Sequence, residues 1–227
     1  MKSKSVLFVG CGDLGARAGQ LLLAQGWQVA GARRDSSRLP AGFSGFDADY
    51  AVDGSLEFIA RMQPDYVVTT FNPTERSVAG YEAGFHLATA NLLAALDAHH
   101  PRHIIAVSST RVFAERDGGW VDESSPLSEE DPRAVAMIRA EQLLLNSGHN
   151  ASVVRFAGIY GTPGGRLLSR IKTGQLCPAQ PPRYGNRIHR DDCARFLTHL
   201  LQRADAGAMV QPVYIGVDDR PAPQFEV

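Results

Sequence analysis

The sequence predicts a doubly wound α/β protein, a parallel sheet with helices on both faces, followed by a small C-terminal substrate lobe. Short apolar runs recur at Val6–Val9, Trp27–Ala32, Asp65–Phe71, His103–Ser108 and Ala151–Phe156. Stretches with helical periodicity separate most of them. A glycine cluster, Gly10, Gly12 and Gly15, closes the first run. Strands buried on both faces of a parallel sheet read as continuous apolar runs. Their alternation with helices sets the class.

The first unit is the most informative. Val6 to Val9 form a strand, and the glycines follow at G-x-G-x-x-G spacing. A helix comes next, with apolar positions at Leu14, Ala18, Leu21 and Leu22. Gly10 permits a tight turn, Gly12 lets a diphosphate approach the backbone, and Gly15 lets helix and strand pack closely. Free N–H groups and the helix dipole favour an anion there. Strand, glycines and helix together predict a Rossmann-type dinucleotide site, with an empty structural turn as the alternative. Its expected contacts are Gly10, Gly12, Asp13, Leu14 and Gly15.

Gly26 closes this helix, and Trp27–Ala32 is the second strand. An acidic residue at the end of that strand would bind a ribose 2′-OH. Arg33 and Arg34 stand there instead. A pair of arginines suits a 2′-phosphate, so NADP is preferred over NAD. Two solvated surface arginines are the alternative. Ser44–Val52 reads as a short third strand with Asp53 after it. Asp65–Phe71 is the fourth strand, broken by Asn72-Pro73. A long helix over Gly80–His100 buries Tyr81, Phe85, Ala88, Leu92 and Leu96. His103–Ser108 is the fifth strand. The strand ends bring Thr70, Phe71 and Ser108 to one crevice, along the nicotinamide half of the cofactor.

Arg111–Pro132 is a polar loop over the site. A helix over Arg133–Leu145 turns Ile138, Leu144 and Leu145 inward, and Ala151–Phe156 is the sixth strand. A glycine-rich stretch, Gly158–Gly165, a short helix over Leu167–Thr173 and a proline-rich loop over Cys177–Arg187 follow. Asp191-Asp192 predicts an N-cap for a helix through Cys193, Phe196, Leu197, Leu200 and Leu201. Val213–Val217 is the last strand.

Bulk properties narrow the function classes. The 227 residues carry a net charge of −1, which gives no reason to expect nucleic acid or an anionic membrane as a partner. No apolar run reaches the roughly 18 residues of a membrane span. MKSKS leads straight into the first strand, so no cleavable signal is expected. The 3 cysteines, Cys11, Cys177 and Cys193, read as reduced thiols of a cytoplasmic protein. His99, His100 and His103 are split by Pro101, and no metal is expected. The length suits one domain, with residues 158–190 and 204–227 as its small lobe. A small-molecule substrate is the expected partner, and a homodimer stays open.

Five stretches then fall in a familiar order: GCGDLG at 10–15, VSSTRVFAE at 107–115, AEQLL at 140–144, VRFAGIYG at 154–161 and IHRDDCARFL at 188–197. The chain resembles the extended or atypical short-chain dehydrogenases/reductases, in their NAD-dependent epimerase/dehydratase branch. The resemblance implies a nicotinamide cofactor and a Ser/Thr–Tyr–Lys catalytic set. There the tyrosine is the acid/base, and the lysine lowers its pKa from about 10. Ser109 resembles the catalytic serine; a strand-end serine satisfying the backbone is the alternative. Asp53 resembles the acid near the adenine, though a turn aspartate explains it equally.

The tyrosine and lysine are where the resemblance breaks. With Glu141 as anchor, Met137 stands at the lysine position and Arg133 at the tyrosine position. No tyrosine or lysine occurs between Arg116 and Ser147. Arginine stays protonated and is a poor general acid. The remaining candidates are Tyr160, Tyr184, His189 and Arg133 in an atypical enzyme. The other reading is a non-catalytic NADP(H)-binding redox sensor. Family members usually continue well past the point where this sequence ends, so the part that selects the substrate is missing or trimmed.

Overall fold

The computed structural model describes residues 3–163, 165, 169, 172–174, 180 and 184–223. Seven parallel strands form the main sheet. They are β1 (Ser5–Val9), β2 (Gln28–Arg33), β3 (Ser44–Asp47), β4 (Tyr66–Thr69), β5 (His103–Ser109), β6 (Ala151–Phe156) and β10 (Val213–Gly216). Their order is β10-β6-β5-β4-β1-β2-β3. The winding reverses between β1 and β4, so the crevice at that point lies beside the glycine turn.

The helices are α1 (Asp13–Leu23), α2 (Phe58–Met62), α3 (Val78–Tyr81), α4 (Ala88–Leu96), α5 (Pro132–Leu145) and α6 (Arg190–Asp205). Alternate residues of β1 face opposite layers. Val6 and Phe8 pack with Ala18 and Leu22 of α1 and with Leu197 and Leu201 of α6. Leu7 and Val9 pack with Leu92 of α4 and Met137 and Leu144 of α5. Both faces are therefore covered there, which is why β1 is apolar at every position from Val6 to Val9. Two short pairs lie outside the main sheet. β7 (Gly158–Tyr160) runs parallel to β9 (Arg187–His189), and β8 (Tyr184–Gly185) runs antiparallel to β11 (Ala222–Pro223).

Several expectations need correcting. On α1 the buried residues are Gly15, Ala18, Gly19 and Leu22, whereas Leu21 is exposed. Gly19 takes the inward place because Phe43 and Val29 press against it, leaving no room for a side chain. The third strand stops at Asp47, since Ala48–Val52 turns into the loop before α2. The helix predicted over Gly80–His100 starts at Val78 and ends at Leu96, with a π-helical turn over Glu82–Leu87. Asp97, at φ +50°, stops it. On α5 the inward face is Ala134, Met137, Ile138, Ala140, Glu141 and Leu144, with Leu145 only half-buried.

The cap of α6 is His189, whose Nδ1 accepts the Asp191 N–H, so Asp191 and Asp192 occupy the first turn instead. The Cys177–Arg187 loop contains β8 and the start of β9 in its described part. Most of the predicted Leu167–Thr173 helix lies outside the described residues, as does Cys177.

Candidate dinucleotide site

The glycine turn is assembled from three strand ends. Gly10 and Cys11 both donate their N–H to the Ala32 carbonyl, at 2.9 and 3.0 Å, which pins the turn to β2. Thr70 donates its hydroxyl to the Gly10 carbonyl at 2.8 Å, and its N–H to Val9 at 3.0 Å, which pins it to β4. Gly10 has φ +78°, and a Cβ there would stand 3.0 Å from the Thr70 carbonyl oxygen. Gly12 is the N-cap of α1, and a Cβ there would meet nothing closer than 3.8 Å. One glycine is thus required by the fold, and the other leaves the backbone open to an approaching group. At Gly15 a Cβ would come within 3.4 Å of Phe8 and 3.3 Å of Cys11, so helix and strand are close-packed there.

The first N–H groups of α1 lack intrahelical partners and point out of this turn. A diphosphate fits that donor set and the open face over Gly12. Asp13 adds a carboxylate at the same helix end. It is held by Arg17 at 3.2 Å and by Arg190 of α6 at 3.3 Å. Arg17 also pairs with Asp191 at 2.7 Å. These arginines offset the repulsion that Asp13 would exert on a phosphate.

The remaining predicted residues are placed as follows. Arg33 ends β2, half-buried, and its Nη1 reaches back 3.3 Å to the Cys11 carbonyl, while Arg34 is exposed. Asp53 is exposed in the turn beyond β3. Phe71 is buried and stacks on Tyr50 with ring centres 4.6 Å apart. Ser109 accepts the Arg111 N–H on its Oγ at 3.2 Å and caps the 3-10 turn Thr110–Val112. Ser108, on the opposite face of β5, donates its hydroxyl to Glu141. Glu141 is in turn paired with Arg155 at 2.7 Å, and both side chains are 5% exposed. Arg155 also stacks its guanidinium on Phe113 at 5.1 Å.

Tyr160 and His189 face each other across β7 and β9, with ring centres 5.2 Å apart in an edge-on arrangement. Tyr184 is exposed and lies over Gly118 of the polar loop. Met137 is buried in the core, and Arg133 stands in the first turn of α5. The three histidines part company. His99 bonds the Pro64 carbonyl, His103 bonds Ser152, and the His100 ring faces His149. Among the described residues no cluster suits a metal ion. Burial pushes the Cys11 and Cys193 thiols up to about 12, so both are unreactive at neutral pH.

Tyr50 is a site residue that sequence reasoning missed. Its hydroxyl donates to the Asn72 carbonyl at 3.1 Å, and its ring closes over Gly10, 3.1 Å from where a Cβ would stand. Burial raises its pKa. Nothing in a lone tyrosine between a short strand and a turn signals this role.

Sheet order, switch point and glycine turn define a dinucleotide-binding protein of the Rossmann type. Comparison with known proteins gives its family. The NAD(P)H-binding family matches residues 10–204. Protein YeeZ of Escherichia coli strain K12 is 32% identical over 214 residues, covering 90% of this chain and 75% of YeeZ. A structure from Methylobacillus flagellatus, provisionally assigned as an NAD-dependent epimerase/dehydratase, is 33% identical with a TM-score of 0.84, covering 98% of this chain and 78% of that one. The Thermus thermophilus UDP-glucose 4-epimerase in complex with NAD shares the fold, with a TM-score of 0.76, 19% identity and coverage of 97% and 80%. The chain belongs to the NAD(P)H-binding family and is an extended short-chain dehydrogenase/reductase with an epimerase/dehydratase-like fold. Among the described residues no helix is long and apolar enough to cross a membrane.

Proposed function

We propose that the protein binds NADP in preference to NAD and acts on a small hydroxyl- or carbonyl-bearing substrate of nucleotide-sugar-like kind. The observation that carries this is the glycine turn, tied at Gly10 and Cys11 to the Ala32 carbonyl and at Gly10 to the Thr70 hydroxyl and left open at Gly12, with Arg33 beside it. Gly10, Gly12, Asp13, Leu14 and Gly15 hold the diphosphate. Arg33 and Arg34 take the 2′ side, Asp53 the adenine side, and Thr70, Phe71 and Ser108 the nicotinamide half. A bound nicotinamide supplies hydride transfer. Ser109 hydrogen-bonds the reacting oxygen, and Arg133, which stays protonated, does not replace the family's proton donor. Tyr160 and His189 are the remaining acid/base candidates. The short pairs β7–β9 and β8–β11, outside the main sheet, begin the substrate lobe, whereas Val213–Gly216, expected in that lobe, is the edge strand of the main sheet.

The location is cytoplasmic, and a homodimer is testable by light scattering on the purified protein. Calorimetric titration with NAD, NADH, NADP and NADPH tests the cofactor assignment. Arg33→Ala weakens NADP by about 10- to 100-fold, the value of one or two charge-assisted bonds, and leaves NAD nearly unchanged. Equal losses for both cofactors defeat the 2′-phosphate assignment.

A second reading, an NADP(H)-binding redox sensor without turnover, draws support from Met137. It fills the core at the position where the resemblance, anchored on Glu141, would put the family's lysine. Binding of NADPH and NADP, with no oxidation of NADPH by carbonyl substrates and no reduction of NADP by hydroxyl substrates, favours it.

A further inference from the structure

Two cations meet one aromatic ring at the head of α5. The Arg111 guanidinium carbon lies 5.6 Å from the centre of the Tyr81 ring, and that of Arg133 lies 5.9 Å from it. A single carboxylate serves them: Asp131 bonds Arg111 Nη2 at 2.7 Å. Arg111 Nε is buried without a hydrogen-bond partner. Glu129 and Glu130 lie exposed in the chain just before Asp131, and several other charges nearby are already engaged. Arg116 donates to the carbonyls of Phe113 and Glu115 at 2.6 and 2.9 Å. The Glu115 carboxylate accepts the Asp117 and Gly118 N–H groups. Glu82 pairs with Arg139 at 2.9 Å and with His86 at 2.7 Å. The cluster of Arg111, Arg133 and Asp131 therefore keeps one positive charge in excess.

This excess sits at the carboxyl end of β5, where sheets of this winding bind ligands. Ser109 is part of the same turn, its Oγ accepting the Arg111 N–H. The Arg111 side chain is 37% exposed, so a solute can reach it. The dinucleotide does not account for this charge, because its diphosphate belongs to the glycine turn and its 2′ side to Arg33. Guanidinium forks match the planar geometry of carboxylates and the oxygens of phosphates, and both forms hold their charge at any physiological pH.

We propose that the substrate carries an anionic group, a carboxylate or a phosphate, gripped by Arg111 and Arg133 against the face of Tyr81. The assignment of this anion to a substrate rests on the cofactor reading above; the anion site itself does not. The pair fixes which end of the substrate faces Ser109, and so acts as a specificity element.

The test is calorimetric titration of the whole chain with inorganic phosphate and, separately, with malonate, in chloride-poor buffer, with and without saturating NADP. One anion per chain binds, and saturating NADP leaves it in place. The stronger of the two probes identifies the group. Arg111→Met and Arg133→Met each weaken binding by about tenfold, and together they abolish it. Asp131→Asn tightens it, because the competing carboxylate is gone. All these variants keep the wild-type melting temperature within a few degrees and the wild-type affinity for dinucleotide.

No binding of either probe by the wild type overturns the proposal. So does an unchanged affinity in the double variant, or complete displacement of the anion by NADP. Failure of every dinucleotide to bind sinks the cofactor reading alone. The cofactor-free titrations of wild type and double variant still decide the anion site.

Discussion

Glu141→Gln tests whether the buried pair behind β5 holds the site together. Glu141 and Arg155 each leave 5% of the side chain exposed. Glu141 takes bonds from Ser108 on β5 and from Arg155 on β6, so one carboxylate ties α5 to two strands. Glutamine keeps the size and one acceptor, and it strands a buried guanidinium. Breaking one side of such a pair costs about 3–5 kcal/mol. At about 2–4 °C per kcal/mol for a chain of this length, the midpoint falls by roughly 6–20 °C. Thermal melts followed by far-UV circular dichroism measure this.

Arg155→Met is the complementary change. It leaves the buried carboxylate without its cation and costs a similar amount. The double variant, Glu141→Gln with Arg155→Met, recovers most of the stability, because neither charge is left alone. A fall of under about 2 °C for Glu141→Gln, or a double variant as unstable as the sum of the singles, refutes the reasoning.

Other outcomes follow from single residues. Gly10→Ala forces a side chain into φ +78° against the Thr70 carbonyl. It costs about 1–3 kcal/mol in a urea titration and removes dinucleotide binding. Thr70→Val deletes the bond to the Gly10 carbonyl and weakens dinucleotide binding about tenfold by calorimetry, with the melting point lowered by only a few degrees. Burial lowers the pKa of His103 below its ordinary value, so the unfolded chain binds the proton more readily than the folded one. Stability is therefore unaffected above about pH 6.5 and falls as the pH drops from there toward the lowered folded value. In melts between pH 7 and 5, His103→Gln shows a shallower slope. Burial lowers His149 as well, so some slope remains. An identical slope in wild type and variant would falsify the assignment to His103.

The fold was legible where burial forces a pattern. β1 and the glycine turn could be read because a strand covered on both sides runs apolar from Val6 to Val9, and because a sharp turn needs Gly10. The same reasoning failed at Leu21. There the spacing was right, but Phe43, distant in sequence, claims the surface beside Gly19. The His189 cap was hidden behind two aspartates with higher capping preference, because the choice depends on how β9 delivers the chain into α6. At the site, contacts to backbone atoms were readable through glycine. Contacts made by distant side chains were not. Neither Tyr50 over Gly10 nor Tyr81 under two arginines leaves a local trace.

The brace from Thr70 to Gly10 has a consequence for how a ligand arrives. The turn is clamped from two neighbouring strands before anything enters it. This turn does not have to be frozen on docking, so little ordering entropy is lost there. On the function proposed above, Arg33 and Arg34 at the tip of β2 then choose between dinucleotides around that cradle.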